Sequence, residues 1–275
     1  MLQLWHLHTI HPPKGLIDIK EQIRNFAKQL NIEYTGFTKE GDDSLIVFLF
    51  PYYTNLKENA NISLYCRSLD YHLIIKNYLD KISEFILKEF DVKCESFVDV
   101  NPINEVDAAV RCNLGVKGKN RLLINEKYGS FVFIGILKTP DFIEPDTYEN
   151  KECLGCNRCI NSCPALKNND FNLCVSEISQ KKGTLTKQEE KLLTENKSVF
   201  GCDKCQIVCP MNNMDKTPIP EFYENRIYNL KAEMFEKLSN KEFKNLYGNR
   251  AFAWRGKNVL LRNLKLLGEE NSQQE

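Results

Sequence analysis

The chain has 275 residues, 42% of them hydrophobic and 27% charged, which suits a globular protein of one or two domains and excludes a disordered one. Lys plus Arg and Asp plus Glu number 37 each, so net charge exerts no overall pull toward nucleic acid or an anionic membrane, and any such pull has to come from a local patch. The opening MLQLWHLHTIHPPKG has neither the basic start nor the apolar stretch of a secretory leader, and the most apolar run, Leu45 to Phe50, is too short to span a bilayer; the expected location is cytoplasmic, with no membrane partner.

In chain order, residues 17–30 (IDIKEQIRNFAKQL) place Ile17, Ile19, Ile23, Phe26, Ala27 and Leu30 close to helical spacing. Ser44 to Phe50 is a β-rich apolar run closed by Pro51 and reads as a buried strand. Asp70 to Phe90 has the period of a long amphipathic helix. Glu95 to Val100 reads as a strand, Ile103 to Cys112 as a helix and Phe131 to Leu137 as a third strand. Strands separated by helices point to an α/β or α+β domain over residues 1–148. Pro140 to Asn150 is a polar, acidic connection. Beyond it, helices are expected at Thr186 to Thr194, Leu230 to Leu238, Asn240 to Leu246 and Lys257 to Leu267, with the final GEENSQQE fraying.

Eleven cysteines are many for a chain expected inside the cell, and eight of them fall between positions 153 and 209. In a reducing compartment such clustering indicates metal binding or redox chemistry rather than disulfides. The first run is Cys153-x2-Cys156-x2-Cys159-x3-Cys163-Pro164; the second is Cys202-x2-Cys205-x3-Cys209-Pro210, with Cys174 between them. Cysteines two residues apart let a tight loop reach three corners of a cubane cluster. The cysteine before the proline serves the other cluster in two-cluster proteins. The pattern therefore implies Cys153, Cys156, Cys159 and Cys209 on one 4Fe-4S cluster and Cys163, Cys174, Cys202 and Cys205 on a second. Cys174 substitutes for the position that Val199 occupies. Two four-cysteine zinc sites would call neither for three successive cysteines at this spacing nor for Cys-Pro twice. Cys66, Cys94 and Cys112 read as small buried apolar residues.

Two clusters alone fit an electron carrier and an enzyme equally, but roughly half the chain precedes them, enough for a core and a pocket. Asp99 stands at the end of an expected strand before Asn101-Pro102. An acid there can face a cleft, where burial would raise its pKa and suit it to proton donation; it can equally cap the next helix or close an Asx-turn. GVKGKN (115–120) lacks the form of a phosphate loop and reads better as a tight glycine turn. Arg67 and His72 could bind an anion or serve as surface and cap residues. Arg250, Arg255, Lys257, Arg262 and Lys265 form a stripe free of acids over 250–265, which could contact phosphates or be a solvated helix face.

The strand–Asp99–x–x–Pro102 segment, the Gly118-Lys119-Asn120 and Gly129-Ser130 turns, Tyr65-x-Arg67-x-x-Asp70-Tyr71-His72, the double cysteine run, Cys174-Val-Ser with Gln180-Lys-Lys-Gly183, and the tail Trp254-Arg-Gly-Lys-Asn-Val-Leu-Leu-Arg-Asn263 resemble the epoxyqueuosine reductase family over about residues 17 to 267. The resemblance implies an α+β chain. A nitroreductase-like cobalamin- and substrate-binding domain (1–148) would be followed by a ferredoxin-like double 4Fe-4S domain (149–220) and a helical extension (221–275). It implies cobalamin and two clusters as cofactors, tRNA with a modified wobble base as substrate, and an external electron donor such as a flavodoxin or ferredoxin. Asp99 would be the proton donor, and Lys119, Asn120, Ile134 and Glu177 would fall at the corrin pocket.

The chain also departs from that family. It lacks the C-terminal helical-repeat region of the longer members and a segment usually found between the first helix and first strand. Lys117, Val106 and Glu177 stand where an aromatic, an arginine and a tyrosine are usual. These departures leave two alternatives to the reductase: a corrinoid reductase with another substrate, and a non-catalytic two-cluster electron-transfer protein.

Overall fold

The structure, a computed structural model, describes residues 18–271 apart from 58, 100, 101 and 214, with side chains to residue 268; the leader reading, Ile17, Val100, Asn101 and residues 272–275 lie outside it, while residues 268–271 of the expected fraying tail are helical. Asp18 starts α1 (Ile19–Gln29) by accepting from the Lys20 N–H, and Ile23 and Ala27 form its buried side. Next comes β1 (Thr35–Glu40), which the sequence reading did not anticipate. TGFTKE has little apolar content; it is a strand because it pairs antiparallel with β2 (Asp43–Pro51), residue for residue from Thr35 to Glu40. Asp70 caps α2 (Tyr71–Phe90), its carboxylate accepting from the His72 N–H. β3 (Glu95–Phe97) is shorter than the expected strand. α3 (Glu105–Arg111) begins two residues past the expected start, because Asn104 accepts from the Asp107 N–H and is the cap. That excludes the capping role considered for Asp99. A small hairpin, β4 (Val116–Lys117) with β5 (Leu123–Ile124), leads into β6 (Val132–Thr139).

The main sheet has the order β1-β2-β6-β3, every pair antiparallel. Along β2, Ile46, Phe48 and Phe50 enter the core beneath α1 and α2, while Leu45, Val47 and Leu49 enter a second core with Ala108 and Ala109 of α3. Helices on both faces explain why the β2 run is continuously apolar rather than alternating. β3 pairs only with Ile136, Leu137 and Lys138. Among the described residues, β6 from Val132 to Gly135 therefore has no strand neighbour on that side.

The acidic connection is anchored by Asp146. Its carboxylate accepts from Arg24 at 2.7 and 2.8 Å and from the Phe37 N–H at 2.9 Å, and pairs with Lys20 at 2.7 Å. Burial opposes ionisation of Asp146, but the two cations and the amide outweigh it and hold its pKa below 3.8. A depressed folded-state pKa stabilises above the ordinary carboxylate range and ceases to do so as pH falls through the folded value. Asp146→Asn is expected to cost ~1–2 kcal/mol at pH 7, allowing for partial exposure. It should also flatten the acid side of a urea-midpoint-against-pH curve; a mutant curve parallel to the wild type would contradict this.

The second half is helical and short-stepped: α4 (Arg158–Ser162), α5 (Pro164–Asn168), α6 (Val175–Gln180), α7 (Lys187–Glu195), α8 (Lys204–Ile207), α9 (Asn240–Tyr247) and α10 (Lys257–Asn271). The expected helix at Leu230 to Leu238 is absent; only one 3-10 turn forms, at Ala232–Met234. The reason is tertiary. Leu230 is buried, and its N–H is taken by Asn61 Oδ1 at 2.8 Å while its carbonyl accepts from Asn61 Nδ2 at 2.9 Å. A backbone captured from outside cannot close its own helical ladder. Asn263 of α10, fully buried, donates to the carbonyls of Ser179 and Val199, both at 2.8 Å, tying the tail to the cysteine half.

Candidate cluster sites and the Asp99 pocket

The cysteines are set by α4, α6 and α8. Cys159 lies in α4, Cys163 joins α4 to α5, Cys174 caps α6 and Cys205 lies in α8. The thiols fall into two sets. Burial pushes Cys202 up to about 11, with the neighbouring charges of Asp203, Cys174 and Cys163 adding to it. Burial likewise raises Cys205, reinforced by Cys202, Cys163 and Cys174 and, least, by Cys159. Cys163 and Cys174 are thus within electrostatic reach of both Cys202 and Cys205. Cys153, Cys156, Cys159 and Cys209 line a separate hollow together with Lys119, Asn120, Ile124, Leu154 and Met211. Cys156 is exposed, whereas Cys202 and Cys205 are half-buried against the first domain. We call the first-named set the inner quartet and the second the outer quartet.

Among the described residues, no three Cys, His, Asp or Glu side chains converge tightly enough for a single metal ion. Two all-thiol quartets suit two cubanes, with one thiolate per iron corner.

The inner quartet is fastened to the first domain by groups the sequence reading missed. Asp203, buried between Cys202 and Lys204, accepts from the Ser63 hydroxyl and from the Leu64 N–H at 2.8 Å. Burial raises its pKa; those two donors and the Arg67 charge offset part of the rise. Arg67 is not a surface residue. It is buried and donates to the carbonyls of Ile62 and Asn55. An acid inside a Cys-x2-Cys run was the available signal, since a charged residue there needs a partner once the loop is covered.

A second fastening uses Gln206, whose Nε2 donates to Tyr52 Oη at 3.0 Å and to the Ser130 carbonyl at 2.8 Å. Asn212 accepts from the Ser130 N–H at 2.6 Å and donates to the Gln206 carbonyl at 2.6 Å. Gly129 makes this possible: its φ is +60°, and a Cβ there would come within 2.8 Å of Asn212 Cα. Gly129→Ala should therefore cost ~2 kcal/mol or more, combining left-handed strain with a backbone clash. Gly183→Ala, at φ +83° with nothing within 4 Å of the added methyl, isolates the strain and should cost ~1 kcal/mol. Equal melting-temperature losses for the two variants would contradict this account.

Asp99 lies past the end of β3 with φ +60°, a region Asp tolerates better than most residues. Its side chain is 60% exposed, so of the alternatives weighed for it a buried cleft acid is not the one seen: the strand stops at Phe97 and leaves Asp99 on the rim. Its Oδ2 accepts from the Tyr71 hydroxyl and lies 3.7 Å from His72 Nε2, while its own N–H donates to Glu105 Oε1 at 2.7 Å. Burial and the Asp99 charge keep the Tyr71 hydroxyl protonated, so it remains a donor. The hydrogen bond to Asp70 raises the pKa of His72 above 6.5 despite opposing burial, and the charges of Asp70 and Asp99 add to the rise. Tyr71 stacks on Phe133 of β6 at 4.1 Å, which places Asp99 beside the part of β6 that has no strand neighbour among the described residues. From Tyr71 an aromatic contact of 6.3 Å reaches Tyr65, whose hydroxyl accepts from Gln180 of α6 at 3.4 Å; α6 begins at Cys174. Side-chain contacts thus run from Asp99 through Tyr71 and Tyr65 to Gln180, at the far end of the helix that Cys174 caps.

The four positions expected at a corrin pocket lie in three places. Lys119 and Asn120 line the outer-quartet hollow, Ile134 is buried on the α3 face of β6, and Glu177 is exposed on α6. Most of the basic stripe is committed to backbone. Arg250 donates to the Asn225 carbonyl, Lys257 to that of Leu238, and Arg262 to those of Lys181 and Gly183. Arg255 stacks on the exposed Trp254 at 3.6 Å. Cys66 and Cys112 are buried, as expected, and Cys94 is half-buried.

Fold and site together define a two-cluster iron–sulfur protein, and residues 152–212 match the family described as a 4Fe-4S double cluster binding domain. The chain belongs to the epoxyqueuosine reductase family. Residues 38–100 match the family described as epoxyqueuosine reductase QueG, DUF1730. The epoxyqueuosine reductase of Lactococcus garvieae is 30% identical, the match covering 90% of this chain and 85% of that one. That of Listeria monocytogenes is 32% identical over 80% of this chain, which spans 62% of the relative's length. Among solved structures, the epoxyqueuosine reductase of Streptococcus thermophilus superposes with a TM-score of 0.76 at 27% identity, covering 91% of this chain and 81% of that one. A crystal structure of an epoxyqueuosine reductase with an epoxyqueuosine-modified tRNA-Tyr stem loop superposes with a TM-score of 0.80 at 23% identity.

Proposed function

We propose that this chain reduces epoxyqueuosine in tRNA to queuosine, using cobalamin and two 4Fe-4S clusters. The observation that carries the reading is Asp99, held by Tyr71 beside β6 and joined through Tyr71 and Tyr65 to the helix that Cys174 caps, in a chain of this family. The ligand sets are Cys153, Cys156, Cys159 and Cys209 for the outer cluster and Cys163, Cys174, Cys202 and Cys205 for the inner one. The first domain (1–148) corresponds to a nitroreductase-like fold that receives the corrin, residues 149–220 to a ferredoxin-like module and 221–275 to a helical extension.

The Tyr71 and Phe133 rings stacked beside β6 offer flat apolar faces, which suits a macrocycle. Lys119, Asn120, Ile134 and Glu177 are the pocket positions that the family resemblance implies; of these, Lys119 and Asn120 line the outer-quartet hollow. Bound cobalamin supplies reducing chemistry at carbon that no side chain offers, and the clusters supply its electrons. The balance is epoxide plus two electrons and two protons giving alkene plus water. Asp99 delivers a proton to the oxygen as its C–O bond breaks. Tyr71 fixes Oδ2, leaving Oδ1 to face substrate, and rim exposure lets solvent reprotonate the acid. The proposed partners are tRNA with a modified wobble base and an external donor such as a flavodoxin or ferredoxin.

The test is anaerobic reconstitution with iron, sulfide and cobalamin, followed by nucleoside mass spectrometry of epoxyqueuosine-containing tRNA. Queuosine is the expected product; a fully loaded protein that forms none overturns the proposal. A second reading, a corrinoid reductase with another substrate, draws on the basic stripe being tied to carbonyls. A corrin spectrum without tRNA binding would favour it, and the absence of a corrin spectrum would favour an electron carrier.

A further inference from the structure

The Gly118-Lys119-Asn120 turn carries an observation that the proposed function leaves unexplained. Asn120 is 8% exposed, and its Nδ2 is fully buried without a hydrogen-bond partner. An orphaned buried donor of this kind costs ~1–3 kcal/mol. Its orientation is set by the opposite end of the carboxamide, where Oδ1 accepts from the Leu122 N–H at 3.3 Å. Flipping the amide would set N–H against N–H at that contact, so the nitrogen is the end left over.

The turn itself is over-determined. Arg121 N–H donates to the Gly118 carbonyl at 2.8 Å, and Gly118 N–H to the Leu122 carbonyl at 2.9 Å. Gly118 cannot carry a side chain, because a Cβ there would collide with Asn120 Oδ1 and approach Ile124 Cδ1 to 2.8 Å. Lys119 Nζ donates to Asn157 Oδ1 at 2.8 Å, clamping the turn to the loop between Cys156 and Cys159. Asn120 therefore lines the outer-quartet hollow as part of a rigid wall.

We infer that Asn120 is a positioning residue for the outer cluster: its carboxamide N–H donates a hydrogen bond to a sulfur of the group held by Cys153, Cys156, Cys159 and Cys209. The inference rests on the proposed ligand sets. Sulfide and thiolate sulfurs are the acceptors such a cluster presents, and they gain negative charge when it is reduced. A donor fixed beside them favours the reduced form and raises the potential of that cluster alone. Asn120 then makes the outer cluster the readier acceptor of an incoming electron.

The test is a potentiometric titration of the reconstituted protein followed by electron paramagnetic resonance. The outer cluster is identified as the signal lost in Cys156→Ala. Asn120→Leu removes the donor at nearly constant volume; Asn120→Asp removes it while keeping the acceptor for Leu122. Both should shift the outer potential downward, leave the inner potential in place and retain the full iron content. Unchanged potentials at full iron content overturn the inference. Should either variant lose iron, the wild-type protein decides: with asparagine 15N-labelled in the side chain, the outer signal should show coupling to that nitrogen and to an exchangeable proton, and absence of both overturns it. If wild type holds no cluster that depends on Cys156, the ligand assignment fails instead, so the two failures are told apart.

Discussion

Asp99→Asn is expected to lower conversion of the epoxide by ~10²–10⁴-fold while iron and corrin content stay at wild-type levels. The substitution is nearly isosteric, and an amide oxygen at the same place still accepts from Tyr71, so the pocket keeps its shape and loses only its acid. Tyr71→Phe, which frees Oδ2 without removing the proton, should cost less and should move the pH profile. His72 adds a signed expectation. Its folded-state pKa is raised, so its pairing with Asp70 and Asp99 is present at low pH and lost as pH rises through that raised value, above 6.5. His72→Gln should accordingly remove an alkaline limb from the activity profile. Wild-type turnover by Asp99→Asn would remove Asp99 from the reaction.

Removing one thiol from each quartet should have unequal effects. Cys156→Ala and Cys205→Ala are each expected to lower iron from about eight to about four atoms per chain, because each takes one cubane. Cys156 is exposed at the outer hollow, so its loss should leave the melting temperature close to wild type. Cys205 sits in α8 between the buried Asp203 and Gln206, both of which bond into the first domain, so its loss should also destabilise the fold. Full iron retention by either variant, or zinc in place of iron in the wild type, would refute the assignment.

The contrast between these sites shows what a sequence can express. The cysteine runs were legible because cluster geometry constrains spacing along a local loop. The continuously apolar β2 and the amphipathic α2 were legible for the same local reason. β1 was not, since its residues become a strand only by pairing, and neither was the uncoiled stretch after Leu230, whose backbone is captured by Asn61. The exposure of Asp99 stayed open because it depends on where β3 stops, which cross-strand pairing decides. Asp203, Gln206 and Asn212 escaped notice because their partners, Ser63, Leu64, Tyr52 and Ser130, lie far away in the chain.

Asn61 belongs to every segment at once. Its N–H donates to the Tyr228 carbonyl and to Asn229 Oδ1, its carboxamide exchanges hydrogen bonds with Leu230, and its carbonyl accepts from the Val199 N–H at 2.7 Å. One half-buried residue of the first segment thereby completes the backbone of both the cysteine half and the tail. Boundaries drawn on the sequence are therefore not boundaries in free energy. Opening any one segment strands polar groups in the other two, which favours a single cooperative unit over separable foldons. Limited proteolysis should find no intact fragment ending near residue 148 or 220, and amide exchange at Val199 and Leu230 should slow and quicken together.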